Sequence, residues 1–286
     1  MDVQIIADSA CDLSEKDYQA YQIERVSLTV MMDNKYYLDG QTISAKKIYD
    51  EMRDGKSPKT SQVSPEDFRA AFTKYAKKNQ PCLYLAFSSE LSGTYQSATI
   101  AAKDVQEDYP EWQLQIIDTK CASFGYGLVV LRAAELAKQQ RSLEEITASS
   151  KYYADHMEHI FTVDDLEYLY RGGRVSKSAA FVGTLLKIKP LLHMEDGKLI
   201  PLEKIRGSKK VFQRMLAIME ERGTDFSNQT IGISHGDAIE TAEHLAEMIK
   251  ARFTVKEIKI RMVGSSIGAH SGPGTIALFF SNEKYQ

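Results

Sequence analysis

Cys82 to Phe87 is a run of six residues with two aromatics and no charge, and a turn crowded with hydroxyls follows it directly: Ser88, Ser89, Ser92 and Thr94 around Gly93. The run reads as a buried strand, and the alanine-rich stretch after Tyr95 reads as a helix. The serines therefore sit where a strand turns into a helix, beside unpaired N–H groups and the positive end of the helix dipole. Such a place attracts anions. The plainer alternative is that one serine caps the helix and the others tolerate a tight loop.

The chain around this feature is of ordinary globular composition. Its 286 residues are 43% hydrophobic and 26% charged, which suits one large or two modest cores. A net charge of -3 gives no general attraction for nucleic acid or an anionic membrane. Cys11, Cys82 and Cys121 are widely spaced and fit no metal or redox motif, as expected of buried thiols in a reducing cytoplasm. No apolar run approaches the roughly 18 residues of a membrane span, and no leader is expected before the first strand, Val3 to Ala7.

Strand and helix signals alternate through the first half. Strands are expected at Val3–Ala7, Arg25–Met31, Cys82–Phe87 and Gln113–Asp118. Helices are expected at Ala45–Arg53, from Pro65 after the capping Ser64, and at Gly125–Gln139, with a polar turn at Tyr36 to Gly40 and a polar loop from Ser57. This order argues for βαβ units and a mainly parallel sheet flanked by helices, with ligands outside the carboxyl ends of the strands, where Asp8, Ser9, Ser88, Ser92 and Asp118 fall. The second half mixes its signals. A helix is expected over Leu143–His159, two more around Arg171-Gly172-Gly173-Arg174, a hairpin about Asp196-Gly197, and strands at Thr230–Ser234, Val255–Val263 and Thr275–Phe280. Helices are expected at Val211–Glu221 and Ile239–Phe253. An α/β domain over residues 1–150 and an α+β domain over residues 151–286 follow.

Several residues could carry chemistry. Gly264 to Gly274 reads as a glycine-rich loop presenting His270, and His235 follows a strand directly. His156 and His159 would share a helix face but lack a third metal ligand. Arg171 to Arg174 is like a phosphate loop in composition only, and could be a helix end with two solvated arginines.

Taken together and in order, Asp8-Ser9, Thr60-Ser61-Gln62 before Ser64-Pro65, Ser88 to Tyr95, Leu166 to Arg174 and His270-x-Gly272-Pro273-Gly274 resemble the DegV family, the FakB-type fatty acid binding proteins. The resemblance covers the chain from end to end. It implies two domains with one long-chain fatty acid buried at their interface and no other cofactor or metal. It also implies a partner, a fatty acid kinase that phosphorylates the bound carboxylate with ATP to an acyl phosphate for phospholipid synthesis, so that the chain is a cytoplasmic lipid-binding subunit and not itself an enzyme. The family's carboxylate-binding positions fall on Thr60, Ser92 and His270. Ser61, Gly93 and Thr94 are neighbours able to add donors, and Arg171 matches the family arginine, near the head group or a kinase contact. The roles of Arg174 and His235 stay unassigned.

The physics is compatible with such a ligand. An ionised carboxylate needs a cluster of donors when buried. A tail of about fourteen methylenes at about 0.8 kcal/mol each gives on the order of 11 kcal/mol before the costs of association. Phe161, Ile188, Leu191, Ile267, Phe279 and the helix around Phe181 to Leu186 are candidates for the tunnel, each equally able to be plain core. The rival class is a serine hydrolase of small esters or lipids, with Ser92 as nucleophile, His270 or His235 as base and Asp8 or Asp118 as orienter. It lacks the glycine two residues before the nucleophile that a strand-to-helix elbow would carry. A nucleic-acid or regulatory role for the basic Arg171 to Lys177 patch has no reading motif behind it.

Overall fold

The computed structural model describes residues 2–176 and 188–284. In the first half, β1 (Gln4–Asp8), β2 (Glu24–Val26), β6 (Cys82–Ala86) and β7 (Leu114–Asp118) form a parallel four-stranded sheet in the order β2-β1-β6-β7. Every residue of β6 is buried, as its uninterrupted apolar run requires of a strand covered on both faces. The helices of this half are α1 (Glu15–Tyr21), α2 (Ala45–Arg53), α3 (Pro65–Ala76), α4 (Thr94–Asp108), α5 (Ser123–Lys138) and α6 (Leu143–Asp155). Ser14, Ser44, Ser64 and Ser142 cap α1, α2, α3 and α6 through their side chains, so four of these starts are written in single residues.

The expected strand Arg25–Met31 divides in two. Its end turns away at Ser27 and Leu28, and β3 (Thr29–Met32) joins β4 (Lys35–Leu38) and β5 (Lys59–Ser61) in a separate antiparallel sheet, β4-β3-β5. The expected turn at Tyr36 and part of the expected loop from Ser57 are thus strand. Pairing supplies what the short, polar sequence of β5 does not announce, since Val30 faces Thr60 across the ladder.

The second half is a mixed six-stranded sheet in the order β10-β9-β8-β13-β11-β12. Its strands are β8 (Met157–Thr162), β9 (Ile188–Glu195), β10 (Lys198–Arg206), β11 (Thr230–His235), β12 (Glu257–Met262) and β13 (Ile276–Ser281). Its helices include α7 (Glu167–Arg171), α8 (Ser208–Arg222), α9 (Ile239–Arg252) and α10 (Ser265–Ser271). Asp196-Gly197 makes the expected hairpin turn, with both residues at positive φ. Two expectations fail here. The helix from Leu143 ends at Asp155, and Met157 to His159 open β8, because pairing of Phe279 with His159 and Ser281 with Met157 outweighs helical continuation. The glycine-rich loop contains α10, so His270 stands near a helix end.

The second sheet keeps separate company on its two faces, following the two-residue period of a strand. Ile160, Leu191, Ile276, Leu278 and Phe280 point to α8 and α9 and form a core with Met215, Ile218, Leu245 and Ile249. Phe161, Leu192, Ala277 and Phe279 point the other way and join the core of the first sheet.

The start of α10 is held across the halves. Gly264 N donates to Asp12 Oδ1 at 2.8 Å and Ser265 N to Asp39 Oδ1 at 3.0 Å. Burial drives both carboxyl groups upward, Asp12 to about 8. Its folded pKa lies above the unfolded value, so the stability it contributes is present at low pH and is lost as pH rises from about 4 through 8. Asp12→Asn should therefore gain on the wild type with rising pH, by about 5 °C in melting temperature at pH 9 relative to pH 6. Calorimetric scans showing the opposite trend would mean that Asp12 is charged and stabilising.

Candidate functional site

Between the two sheets lies a cavity of about 840 Å³, part of it open to solvent. Its walls are mostly apolar: Leu28, Phe87 and Leu91 from the first half, and Phe161, Met194, Leu199, Ala277 and Phe279 from the second. Polar groups gather at Thr60, Ser61 and Gln62 of β5 and the residue after it, Ser92 of the serine loop, and Ser266, His270 and Ser271 of α10.

The serine loop follows β6 and delivers Ser92 to the start of α4. Gly93 occupies the N-cap position without a side-chain cap. Ser92 Oγ instead accepts from Thr94 N at 3.2 Å and lies 2.9 Å from Thr94 Oγ1. A Cβ at 93 would stand 2.1 Å from Gln62 Oε1, so any larger residue there would push the Gln62 amide aside. Gln62 is fixed in turn by donating to Ser97 Oγ at 2.7 Å.

His270 Nε2 and Thr60 Oγ1 are 2.6 Å apart. The opposite edge of the imidazole faces Gly172, where a Cβ would lie 2.1 Å from Nδ1. Burial first, and then the guanidinium of Arg174, push the His270 pKa down to about 4, so the ring is neutral at pH 7. Arg174 lines the cavity and is itself drawn down by burial. Its Nε donates to Leu91 O at 3.1 Å and its Nη1 to Gly172 O. A second imidazole, His159, lines another part of the wall; burial takes it to about 4 as well. Both its nitrogens are engaged, Nδ1 with Met157 O at 2.9 Å and Nε2 accepting from Ala122 N at 3.2 Å.

Of the residues singled out in sequence, Thr60, Ser61, Ser92 and His270 line the cavity. Thr94 is fully buried behind Ser92, and Gly93 packs on Gln62. Arg171 does not line it: Nη1 donates to Ser57 Oγ at 3.1 Å, and the guanidinium lies over the Tyr168 ring. The arginine facing inward is Arg174, three residues on, past the short α7. Among the tunnel candidates, Phe161, Ile267 and Phe279 line the cavity; Leu191 lies on the other face of the sheet and Ile188 is off the wall. Phe181 to Leu186 and Lys177 lie outside the described residues.

The other strand-end groups are structural. Asp8 is buried, raised to about 6 by that burial, and accepts from the Tyr84 hydroxyl at 2.8 Å and Phe87 N at 2.9 Å. Ser9 donates to Asp39, and Asp118 accepts from Ser89 N. Met194 and Leu199, a cross-strand pair of the hairpin, were missed as wall residues; so were His159 and Ser266. The alternation of β8 and β13 carried part of that signal.

No nucleophile-base-acid chain is assembled among the described residues. Ser92 engages Thr94, His270 engages Thr60, and His235 Nδ1 accepts from Ala238 N at 3.0 Å away from the cavity. His156 and His159 part company at the end of α6, and the described residues contain no cluster of three or more metal-ligating side chains. No described helix is long and apolar enough to cross a membrane.

A mostly apolar cavity in an α/β frame of this kind has known counterparts. The model of a family described as uncharacterised proteins of the DegV family matches residues 2–283. A DegV domain-containing protein of Clostridium perfringens is 42% identical, with 96% of each chain covered. Among solved structures, a fatty acid binding DegV family protein from Thermus thermophilus superposes with a TM-score of 0.89 at 31% identity, covering 98% of this chain and 100% of its own. A DegV lipid binding protein from Thermotoga maritima gives 0.86 at 31%, covering 98% of both. The chain belongs to the DegV family.

His270 should titrate near pH 4 in ligand-free protein, as followed by imidazole NMR. Arg174→Gln should shift that titration upward by removing a neighbouring positive charge. An unmoved value would show that the guanidinium does not reach the ring.

Proposed function

We propose that this chain binds one long-chain fatty acid in the cavity, its carboxylate at Thr60, Ser92 and His270 and its tail along the apolar wall. The observation that carries the reading is the pairing of a mainly apolar cavity with one polar group set containing the 2.6 Å Thr60–His270 contact. Small-molecule sites are typically concave and mostly apolar, with few, convergent polar groups. The Thermus relative, named for fatty acid binding, supports the assignment.

The chemistry is that of recognition. With Nε2–H donating to Thr60 Oγ1, the threonine hydroxyl is free to donate to a carboxylate oxygen, and Ser92 adds a second hydroxyl. In the ligand-free protein the imidazole is neutral at pH 7. Arg174 supplies positive charge near the ring, which offsets part of the cost of burying the carboxylate. Ser61 is a further donor on the same strand, while Gly93 and Thr94 hold the Ser92 loop in place.

Beyond binding, the bound carboxylate is presented to a cytoplasmic fatty acid kinase, whose ATP γ-phosphoryl group passes to a carboxylate oxygen and yields acyl phosphate and ADP for phospholipid synthesis. Arg171, with its side chain about half exposed beside the site, is the contact proposed for that partner.

Native mass spectrometry of purified protein should show one added mass that denaturation releases as a fatty acid. Thr60→Val with Ser92→Ala should weaken binding by about tenfold or more while the protein still folds, its melting temperature lowered by only a few degrees for the lost Thr94 and His270 contacts. Normal affinity in that variant would remove the carboxylate from this group set. Arg171→Glu should lower kinase-dependent turnover several-fold with lipid affinity retained; unchanged turnover would return Arg171 to a solvated surface role.

A further inference from the structure

α5 shares the inner face of the second sheet with the cavity. It packs on β1 of the first sheet and on β11, β13 and β8 of the second. Strand pairing sets Gly232, Phe279 and His159 side by side in one row across β11, β13 and β8. The β8–β9 register, continued by one residue, brings Met194 beside His159, and Met194 faces Leu199 on β10. At the first end of this row α5 lies directly on the sheet, where a Cβ at Gly232 would stand 3.0 Å from Phe124 Cδ1 and 3.1 Å from Leu128 Cδ1. Phe279, His159, Met194 and Leu199 line the cavity. Phe279 and His159 therefore form the boundary, with α5 on one side and open space on the other.

The two rings meet edge to face, their centroids 5.2 Å apart at an interplanar angle of 83°. Gly125 of α5 packs behind both. A Cβ there would lie 2.5 Å from His159 Nε2 and 2.6 Å from Phe279 Cδ1, closer than a side chain can stand unless a ring shifts. His159 is tethered through Met157 O and Ala122 N, whereas a phenyl ring has no polar tether. The open space beside the Phe279 ring is the cavity. Glycine is a weaker helix former than alanine, so its place within α5 fits this packing need.

The same row marks how far the cavity runs along the second sheet. α10, which carries His270, precedes β13, and Ala277 with Phe161 form the nearer lining row. Phe279 and His159 follow about 7 Å further on, at about 3.3 Å per residue. The row after that, Ser281 with Met157, is off the wall.

We infer that Gly125 is a positioning residue for acyl-chain length: by letting the Phe279 and His159 rings lie back against α5, it fixes how far from His270 the cavity extends and how long a saturated chain it accommodates. The inference rests on the fatty acid reading of the cavity.

The experiment uses delipidated full-length protein and an equimolar mixture of lauric, myristic, palmitic and stearic acids, the bound acids being resolved by native mass spectrometry. Each methylene kept out of the cavity should lower affinity about fourfold. Gly125→Ala should therefore lower the bound ratio of stearic to myristic acid about tenfold or more, with the affinity for myristic acid held within about twofold. Phe279→Leu, which shortens the side chain at the boundary, should raise that ratio on its own and restore it when combined with Gly125→Ala. A purely structural effect of Gly125→Ala would weaken all four acids together and leave the ratio alone; that result overturns the inference, as does an unmoved ratio at full binding. Should Gly125→Ala not fold, Phe279→Leu decides, and an unmoved ratio there overturns the inference. Failure of the unmodified protein to take up any of the four acids removes the fatty acid reading itself, a result distinct from normal uptake with an unmoved ratio.

Discussion

Two buried carboxyl groups from the first half hold the first N–H groups of a helix that belongs to the second. Asp12 and Asp39 meet Gly264 and Ser265, and that grip fixes the start of α10, which packs against β3 and α2. The start of a helix carries unpaired donors that must be met by something when buried, and here the partners lie more than two hundred residues away in the chain. Tyr49 reinforces the join, since its hydroxyl meets Val263 O and its ring leaves no room for a side chain at Gly268. From this anchored helix Ile267 and His270 reach the cavity, and the second half acquires its orientation toward the first.

The cavity then follows from the pattern of the strands. Each sheet has a face that needs cover, and the face of β8 and β13 turned to the first half offers Phe161, Ala277 and Phe279 against Phe87 and Leu91. Space is left on that face, whereas the opposite face of the same strands is filled by α8 and α9. Polar groups enter where β5, the serine loop and α10 converge. That convergence makes His270 neutral: burial disfavours the charged ring, and the guanidinium of Arg174 beside it is positive.

Much of this was legible in sequence, for local reasons. Uncharged runs and serine caps located β6, α3 and the serine loop, and Asp196-Gly197 announced its hairpin. Ser92 is marked in the sequence by hydroxyl clustering, and Thr60, Ser61 and His270 by likeness to a family. Other features depend on partners distant in sequence. Nothing between Arg25 and Met31 shows that the strand breaks to serve two sheets, and β5 is three residues whose strand character comes from pairing with β3. Helical spacing made Leu143 to His159 look continuous, yet pairing with β13 claims its last residues. The choice between Arg171 and Arg174 turned on the end of α7: one arginine closes that helix and meets Ser57, while the next lies beyond two glycines and folds inward.

β13 alternates between two audiences. Ala277 and Phe279 face the cavity, while Ile276, Leu278 and Phe280 face a filled core. Substitution at the even-numbered positions disturbs dense packing and is constrained by stability, whereas the odd-numbered positions border space that a ligand can share. Inheritance can thus vary the two sets at different rates along one strand. A lineage could drift in the shape of its cavity while Ile276, Leu278 and Phe280 continue to hold the sheet to its helices.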